Sequence, residues 1–307
     1  MLTLLLSALV ACLPADSTST DSTDEGSESD TDTGETAEEE YTDDPADLAG
    51  VTDGEWTDFE GGGQVKFTSA GEERSAYVYF PENREEKLPI IFMWHPLGAS
   101  ASMMANWTYA EDLATENNVI VIVPDAHDEN VFEWEFVGAS NRDLPMYDDL
   151  RTCAVQELNG DVRRVSSMGM SAGALWTTYL GIHRGDTLAT IMTWSGGTGQ
   201  VVSYDTPAYA FPALLVSGGE SDTYNAGGLL LEFTELTQEF AGQLYGDDHY
   251  VGVCEHTKGH DFPPDYMDFL TRWLPVHEFG RASPFSGDGN PADVADICAD
   301  YVPQISE

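Results

Sequence analysis

The chain has 307 residues, 41% hydrophobic and 11% aromatic, enough to bury a core in one large domain or two small ones. Its formal net charge is -43 and its pI about 4.1. Such a surface repels nucleic acid and anionic membranes, so neither is expected as a partner. Of the 55 acidic residues, 16 lie before Thr57, so the remainder alone still carries about -27.

Residues 1–12 form a short apolar run, too short to span a bilayer and suited to a signal segment. It ends Leu9-Val10-Ala11-Cys12, which resembles the lipobox of bacterial lipoproteins. That resemblance makes Cys12 the lipid-bearing residue after cleavage and places the protein outside the cell or at its surface. A basic stretch normally precedes such a run, whereas the first Lys or Arg here is Lys66. Residues 13–56 are Ser, Thr, Asp, Glu and Gly with few apolar side chains, and are expected to be a disordered tether. Residues 57–307 are left as one domain.

Along that domain, 75–80 reads as a strand and 89–94, Pro-Ile-Ile-Phe-Met-Trp, as a strand covered on both faces. A helix is expected over 103–116 and a buried strand over 119–123. A loop with Phe132, Trp134 and Phe136 follows, then a helix over 144–158, a strand over 162–168 and a helix over 172–182. Strands are expected over 188–194 and 213–216, a long helix over 226–244, a strand over 249–253 and a closing helix over 264–274. The tail after Ser283 reads as irregular loop. Alternation of this kind without a repeat predicts an α/β fold, one doubly wound and mostly parallel sheet.

Between the strand at 162–168 and the helix at 172–182 stands Gly169-Met170-Ser171-Ala172-Gly173, a G-x-S-x-G sequence. Strand, Gly-flanked Ser and helix together make the nucleophile elbow of the α/β-hydrolases. The turn is tight, so its neighbours must lack bulk, and the Ala172 amide at the helix start can stabilise an oxyanion. In this fold the acid and then the base follow in the chain. Asp222, past the strand at 213–216, is the acid, with Glu220 and Asp205 as rivals. His260, in Gly259-His260-Asp261, is the base, with His256 as rival. The second oxyanion donor is expected after the strand at 89–94, in His95-Pro96-Leu97-Gly98. Pro96 has no N–H, which leaves the Leu97 amide. Trp134 and Trp176 are candidates for the substrate pocket as well as for the core.

Cys153, Cys254 and Cys298 remain after the signal segment. A Cys254–Cys298 bridge is expected to tie down the tail, with Cys153 buried and free in a helix. The sequence holds no Cys-x-x-Cys pair, and no metal site is expected.

The motifs Trp94-His95-Pro96-Leu97-Gly98, Gly169 to Ala174, Ser195-Gly196-Gly197, Gly218 to Asp222 and Gly259 to Pro263 resemble one group. They are similar to the secreted esterases that include polyhydroxybutyrate depolymerases and feruloyl and acetyl-xylan esterases. The resemblance spans about residues 60–275 and departs at Pro96, where related enzymes have Gly. It implies a serine esterase acting on extracellular esters through an acyl-enzyme, without a cofactor, as a monomer. A peptidase of the same fold, or a member that only binds, are the alternatives.

Overall fold

The computed structural model describes residues 41–50, 56–57, 63–127, 131–137, 141–263 and 268–303. Cys12 and the first part of the expected tether lie outside them. In chain order the elements are β1 (Trp56–Thr57), β2 (Gly63–Ser69), β3 (Glu72–Tyr79), β4 (Leu88–Trp94), α1 (Ala101–Trp107), α2 (Ala110–Asn117) and β5 (Ile120–Pro124). Next come α3 (Asp143–Leu158), β6 (Gly160–Met170), α4 (Ala172–Arg184), β7 (Thr190–Trp194) and β8 (Ala213–Ser217). The remainder is β9 (Thr223–Ala226), β10 (Leu229–Glu232), α5 (Phe233–Gly246), β11 (Val251–Glu255), α6 (Asp268–Trp273) and β12 (Cys298–Asp300).

Ten strands form one sheet in the order β1-β2-β3-β5-β4-β6-β7-β8-β11-β12. From β5 to β11 every pairing is parallel; β1 to β3 and β12 add antiparallel edges. Strands β4, β5, β7 and β8 are buried along their whole length, as strands covered on both faces must be. Along β4 the side chains alternate between two cores. Ile90, Phe92 and Trp94 join the apolar faces of α3, α4 and α5, whereas Ile91 and Met93 join α1, α2 and α6. At the antiparallel edge β2 buries only alternate residues. The expected doubly wound α/β-hydrolase sheet is what the chain forms, and no helix among the described residues is long and apolar enough to cross a membrane.

Several expectations need correction. The helix expected over 103–116 is two helices, because Tyr109 takes a left-handed φ of 49° and the Thr108 hydroxyl donates back to the Met104 carbonyl at 2.8 Å. The long helix expected over 226–244 begins only at Phe233. Before it, β9 and β10 form a hairpin turned by Gly227 and Gly228, whose φ values of 62° and 86° suit a two-residue turn. Residues 41–50 lie against the domain instead of trailing in the tether: Ala46 N–H donates to the Asp186 carbonyl at 2.8 Å, and Thr152 Oγ1 donates to the Ala49 carbonyl at 2.9 Å. Finally, Cys153 is not free but disulfide-bonded. A mid-helix position does not isolate it, since the face of α3 beside it receives the 46–49 segment through Arg151 and Thr152.

Cys254 and Cys298 are bonded, with their Cα atoms 4.0 Å apart. They face each other in the β11–β12 pairing, so the tail contributes an edge strand where irregular loop was expected.

Candidate active site

The carboxyl ends of the parallel strands bring the candidate residues together. β6 ends at Met170 and α4 begins at Ala172, so Ser171 alone makes the turn, at φ 54° and ψ -117°. Its N–H donates to the Trp194 carbonyl at 2.9 Å. The glycines on either side are sterically required. A Cβ on Gly169 would stand 2.1 Å from the Gly173 carbonyl oxygen, and one on Gly173 would stand 2.1 Å from that of Trp94. The elbow therefore closes only by backbone-on-backbone contact between β6, α4 and the end of β4.

The loops after β8 and β11 meet in the same way. Gly259 N–H donates to the Gly218 carbonyl at 3.0 Å, and a Cβ on Gly218 would lie 1.9 Å from the Gly259 oxygen. This close approach puts His260 between Asp222 and Ser171. Its Nδ1 is 2.7 Å from Asp222 Oδ1 and its Nε2 is 2.9 Å from Ser171 Oγ. Nδ1 donates to the carboxylate, which leaves Nε2 free to accept the Ser171 proton. Asp222 is fully buried, and its other oxygen accepts from Ser195 Oγ at 2.9 Å and from the Gly218 N–H at 2.7 Å. The Phe233 ring stacks on His260 with centroids 4.6 Å apart and planes 13° apart.

The rivals stand elsewhere. Glu220 is exposed in the short turn before Asp222, and Asp205 is exposed with its Oδ1 accepting from the Thr206 N–H. His256 is turned into the interior, where Trp194 Nε1 is 3.2 Å from its Nε2, and burial pushes its imidazole below the ordinary His range.

Leu97 and Ala172 both line the cleft that contains Ser171. The loop carrying Leu97 is held at three points. His95 donates from Nδ1 to the Pro96 carbonyl at 2.9 Å and accepts at Nε2 from the Ala126 N–H at 3.1 Å. Gly98 N–H reaches both Glu133 carboxylate oxygens at 3.1 Å. Glu133 is fixed in turn by its loop. Trp134 Nε1 donates to the His95 carbonyl at 2.9 Å, and Glu135 N–H donates to Asp143 Oδ2 at 2.8 Å. Burial raises the Asp143 carboxyl above the usual range, and the Arg74 guanidinium 3.0 Å away opposes that shift.

The cleft is open to solvent and its cavity volume is only about 10 Å³. Besides Ser171, Ala172 and Leu97, its walls are Phe132, Leu175, Tyr224, Leu231 and Phe233. Trp134 and Trp176 are not among them. Both are buried and stack on each other, with centroids 6.2 Å apart, and each meets Trp94 edge-on. The 132–136 loop turns Trp134 inward and presents Phe132 instead. Leu231 and Phe233 are hidden within the helix expected over 226–244, and Tyr224 lies just before it without a motif; the Gly227-Gly228 pair is the available signal. Ser195 opens the Ser195-Gly196-Gly197 motif, which by itself carries no signal of a role. Among the described residues no group of three or more His, Cys, Asp or Glu side chains is placed to hold a metal ion.

Comparison with known proteins agrees with the motif resemblance. No family model matches the sequence. Over 109 residues the chain is 27% identical to feruloyl esterase B of Thermothelomyces thermophilus, a match covering 34% of this chain and 38% of that protein. The chain thus matches well under half the length of that curated relative. The crystal structure of native sOPH superposes with a TM-score of 0.65 at 16% identity, covering 80% of this chain and 95% of that one. A ferulic acid esterase structure gives 0.54 at 14% identity, covering 69% and 95%. At such identities the structures speak for a shared fold, and the sequence match adds the likeness to an esterase.

Proposed function

We propose that the chain is a serine esterase that hydrolyses carboxylic esters through an acyl-enzyme. The observation that carries this reading is the continuous hydrogen-bonded path from Ser171 Oγ through His260 to Asp222 at a glycine-flanked elbow. Ser171 Oγ attacks the ester carbonyl while His260 Nε2 takes its proton, forming a tetrahedral oxyanion beside the Leu97 and Ala172 amides. Collapse breaks the bond to the alcohol oxygen, which leaves with the proton held by His260. Water then enters, gives a proton to Nε2 and attacks the acyl carbon; the acid departs and Ser171 recovers its hydrogen. Asp222 accepts from Nδ1 throughout and stabilises the imidazolium. No cofactor enters these steps.

Esters of the polyester or plant-polysaccharide type are the inferred substrates; the likeness to a feruloyl esterase supports ester hydrolysis itself. In this reading the protein is a monomeric extracellular or cell-surface enzyme, tethered by its acidic N-terminal segment and held to a membrane only through lipid on Cys12. That anchor requires the Cys12 sulfur to be free of any disulfide, which mass spectrometry of the mature N-terminus checks. The apolar cleft does not favour a peptidase that recognises charged peptide ends.

A fluorophosphonate probe is expected to label Ser171 and to block turnover of p-nitrophenyl esters. Ser171→Ala is expected to lose both, by many orders of magnitude, with melting unchanged. Labelling elsewhere, or turnover above about 1% of wild type in the variant, refutes the assignment.

A further inference from the structure

We propose that the β9–β10 hairpin is the acyl-recognition element of this enzyme, and that Tyr224 and Leu231 limit the acyl group to short, uncharged chains. The proposal rests on the esterase reading above. The hairpin occupies a singular place in the chain. It begins directly after Asp222, which holds His260 Nδ1, and ends directly before Phe233, whose ring lies on the His260 ring. Phe233 N–H donates to the Asp222 carbonyl at 2.9 Å and closes the base of the hairpin. The element is thus clamped at its root to the acid and the base, while its Gly227-Gly228 tip stands in open space.

Tyr224 and Leu231 are direct partners in the β9–β10 register, so both side chains leave the ribbon on one face. Both side chains line the cleft together with Leu97 and Ala172. Leu230, one residue on, points the other way and is 44% exposed. The leaving alcohol must lie beside His260, which protonates it. The cleft runs from Ser171 along Leu97 and Ala172, the residues expected to supply the oxyanion amides. The group that enters the cleft is therefore the acyl chain. None of the eight lining residues is charged, so a carboxylate or ammonium there would be desolvated without a partner. The cavity volume of about 10 Å³ leaves room for a small acyl group and not for a long chain.

The test is a chain-length series of p-nitrophenyl acetate, butyrate and octanoate, read as kcat/KM. Wild type is expected to prefer acetate or butyrate over octanoate by about 10-fold or more, since one methylene in such a pocket is worth about 10- to 200-fold. Tyr224→Ala and Leu231→Ala are each expected to raise the octanoate-to-acetate ratio by about 10-fold. Leu230→Ser is expected to leave it unchanged. Tyr224 is only partly buried, so its variant keeps the question open to measurement should Leu231→Ala fail to fold. A wild-type preference for octanoate, or ratios within about twofold of wild type in a folded Tyr224→Ala, overturns the hairpin assignment and leaves the esterase reading standing. Absence of turnover on every ester, with Ser171 unlabelled, overturns both.

Discussion

At its carboxyl end β6 delivers Ser171 to an uncharged cleft; at its amino end Arg163 and Arg164 lie among carboxylates and carbonyls. The first end is built by exclusion. Three glycines stand where a single Cβ would meet backbone at about 2 Å, and Ser171 and Ser195 hold left-handed φ values of 54° and 57°. The second end is built by attraction. Arg163 donates to the carbonyls of Asp43 and Phe279 at 2.9 and 3.3 Å and pairs with Asp44. Arg164 pairs with Asp161 at 2.9 Å and donates to the Lys87 carbonyl at 2.6 Å. Packing constraints fail when one atom is added, whereas exposed charge pairs lose little when one partner goes. Substitutions at the chemical end should therefore cost far more than substitutions at the other.

After the nucleophile itself, the largest effect is expected at Asp222. Asp222→Asn keeps the shape but presents an amide to His260 Nδ1, which favours the tautomer with its proton on Nε2, and turnover should fall by about 10,000-fold. Ser195 acts one step further out, as a positioning residue. Its hydroxyl is one of two donors to Asp222 Oδ2. Ser195→Ala removes a hydrogen bond to a charged group and should lower kcat by about 10- to 100-fold. KM should hold, because Ser195 is not in the cleft wall. A raised KM with kcat intact would assign Ser195 to binding, and an unchanged kcat would remove its positioning role.

A smaller, pH-dependent effect is expected under the amino half of β6, where Phe279 N–H donates to the Arg163 carbonyl. In that segment His277 is buried, donates from Nδ1 to the Trp273 carbonyl at 2.8 Å and accepts at Nε2 from Ser283 Oγ at 2.9 Å. Burial pushes its imidazole from 6.5 down to about 4. Between these values the unfolded chain binds the proton more readily than the folded one. Its contribution is full above pH 6.5 and is lost as pH falls toward 4, on the order of 2–3 kcal/mol. His249 is shifted in the same direction by burial and adds to the slope. Urea unfolding of wild type and His277→Gln across this window measures it. The variant should show a shallower loss, and parallel curves would exclude His277 as a source.

The comparison also explains what could be read from the sequence. The buried parallel strands and the elbow were legible because full burial leaves unbroken apolar runs, and because steric exclusion leaves glycines at fixed spacing. Asp222 and His260 were legible through chain order. What escaped depends on three-dimensional neighbours. The hairpin is hidden because Leu229-Leu230-Leu231 fits helix as well as strand, and only Gly227-Gly228 marks the turn. Phe233 is hidden with it. Trp134 and Trp176 could not be placed, since an aromatic's choice between cleft and core is made by packing. The seat of residues 41–50 was hidden because composition registers acidity but not the arginines that receive it.

The smallest effect is expected at that seat. Tyr41 lies under two guanidinium groups, 4.0 Å from Arg163 and 4.3 Å from Arg281, and its hydroxyl donates to Glu278 at 2.7 Å. That hydrogen bond is the main reason its phenol is held above its ordinary range. Thr42 N–H adds a bond to the Gly280 carbonyl at 2.9 Å. Tyr41 is nevertheless 38% exposed, and cation–π contacts at exposed sites are worth about 0.5–1 kcal/mol. Tyr41→Ala should thus lower global stability by about 1 kcal/mol or less. Its sharper consequence is local, because the segment from 41 to 44 loses its one aromatic anchor and should be cut faster by a protease. Turnover should not move, since Ser171 stands at the far end of β6 from Arg163, eight residues along the chain. With strands rising about 3.3 Å per residue, the separation is on the order of 25 Å, too far for a loose end to reach the cleft. A variant with faster cleavage and unchanged kcat and KM keeps the two ends of β6 independent. A fall in kcat would mean that the N-terminal seat is coupled to the site through the strand, and the division of labour drawn above would fail.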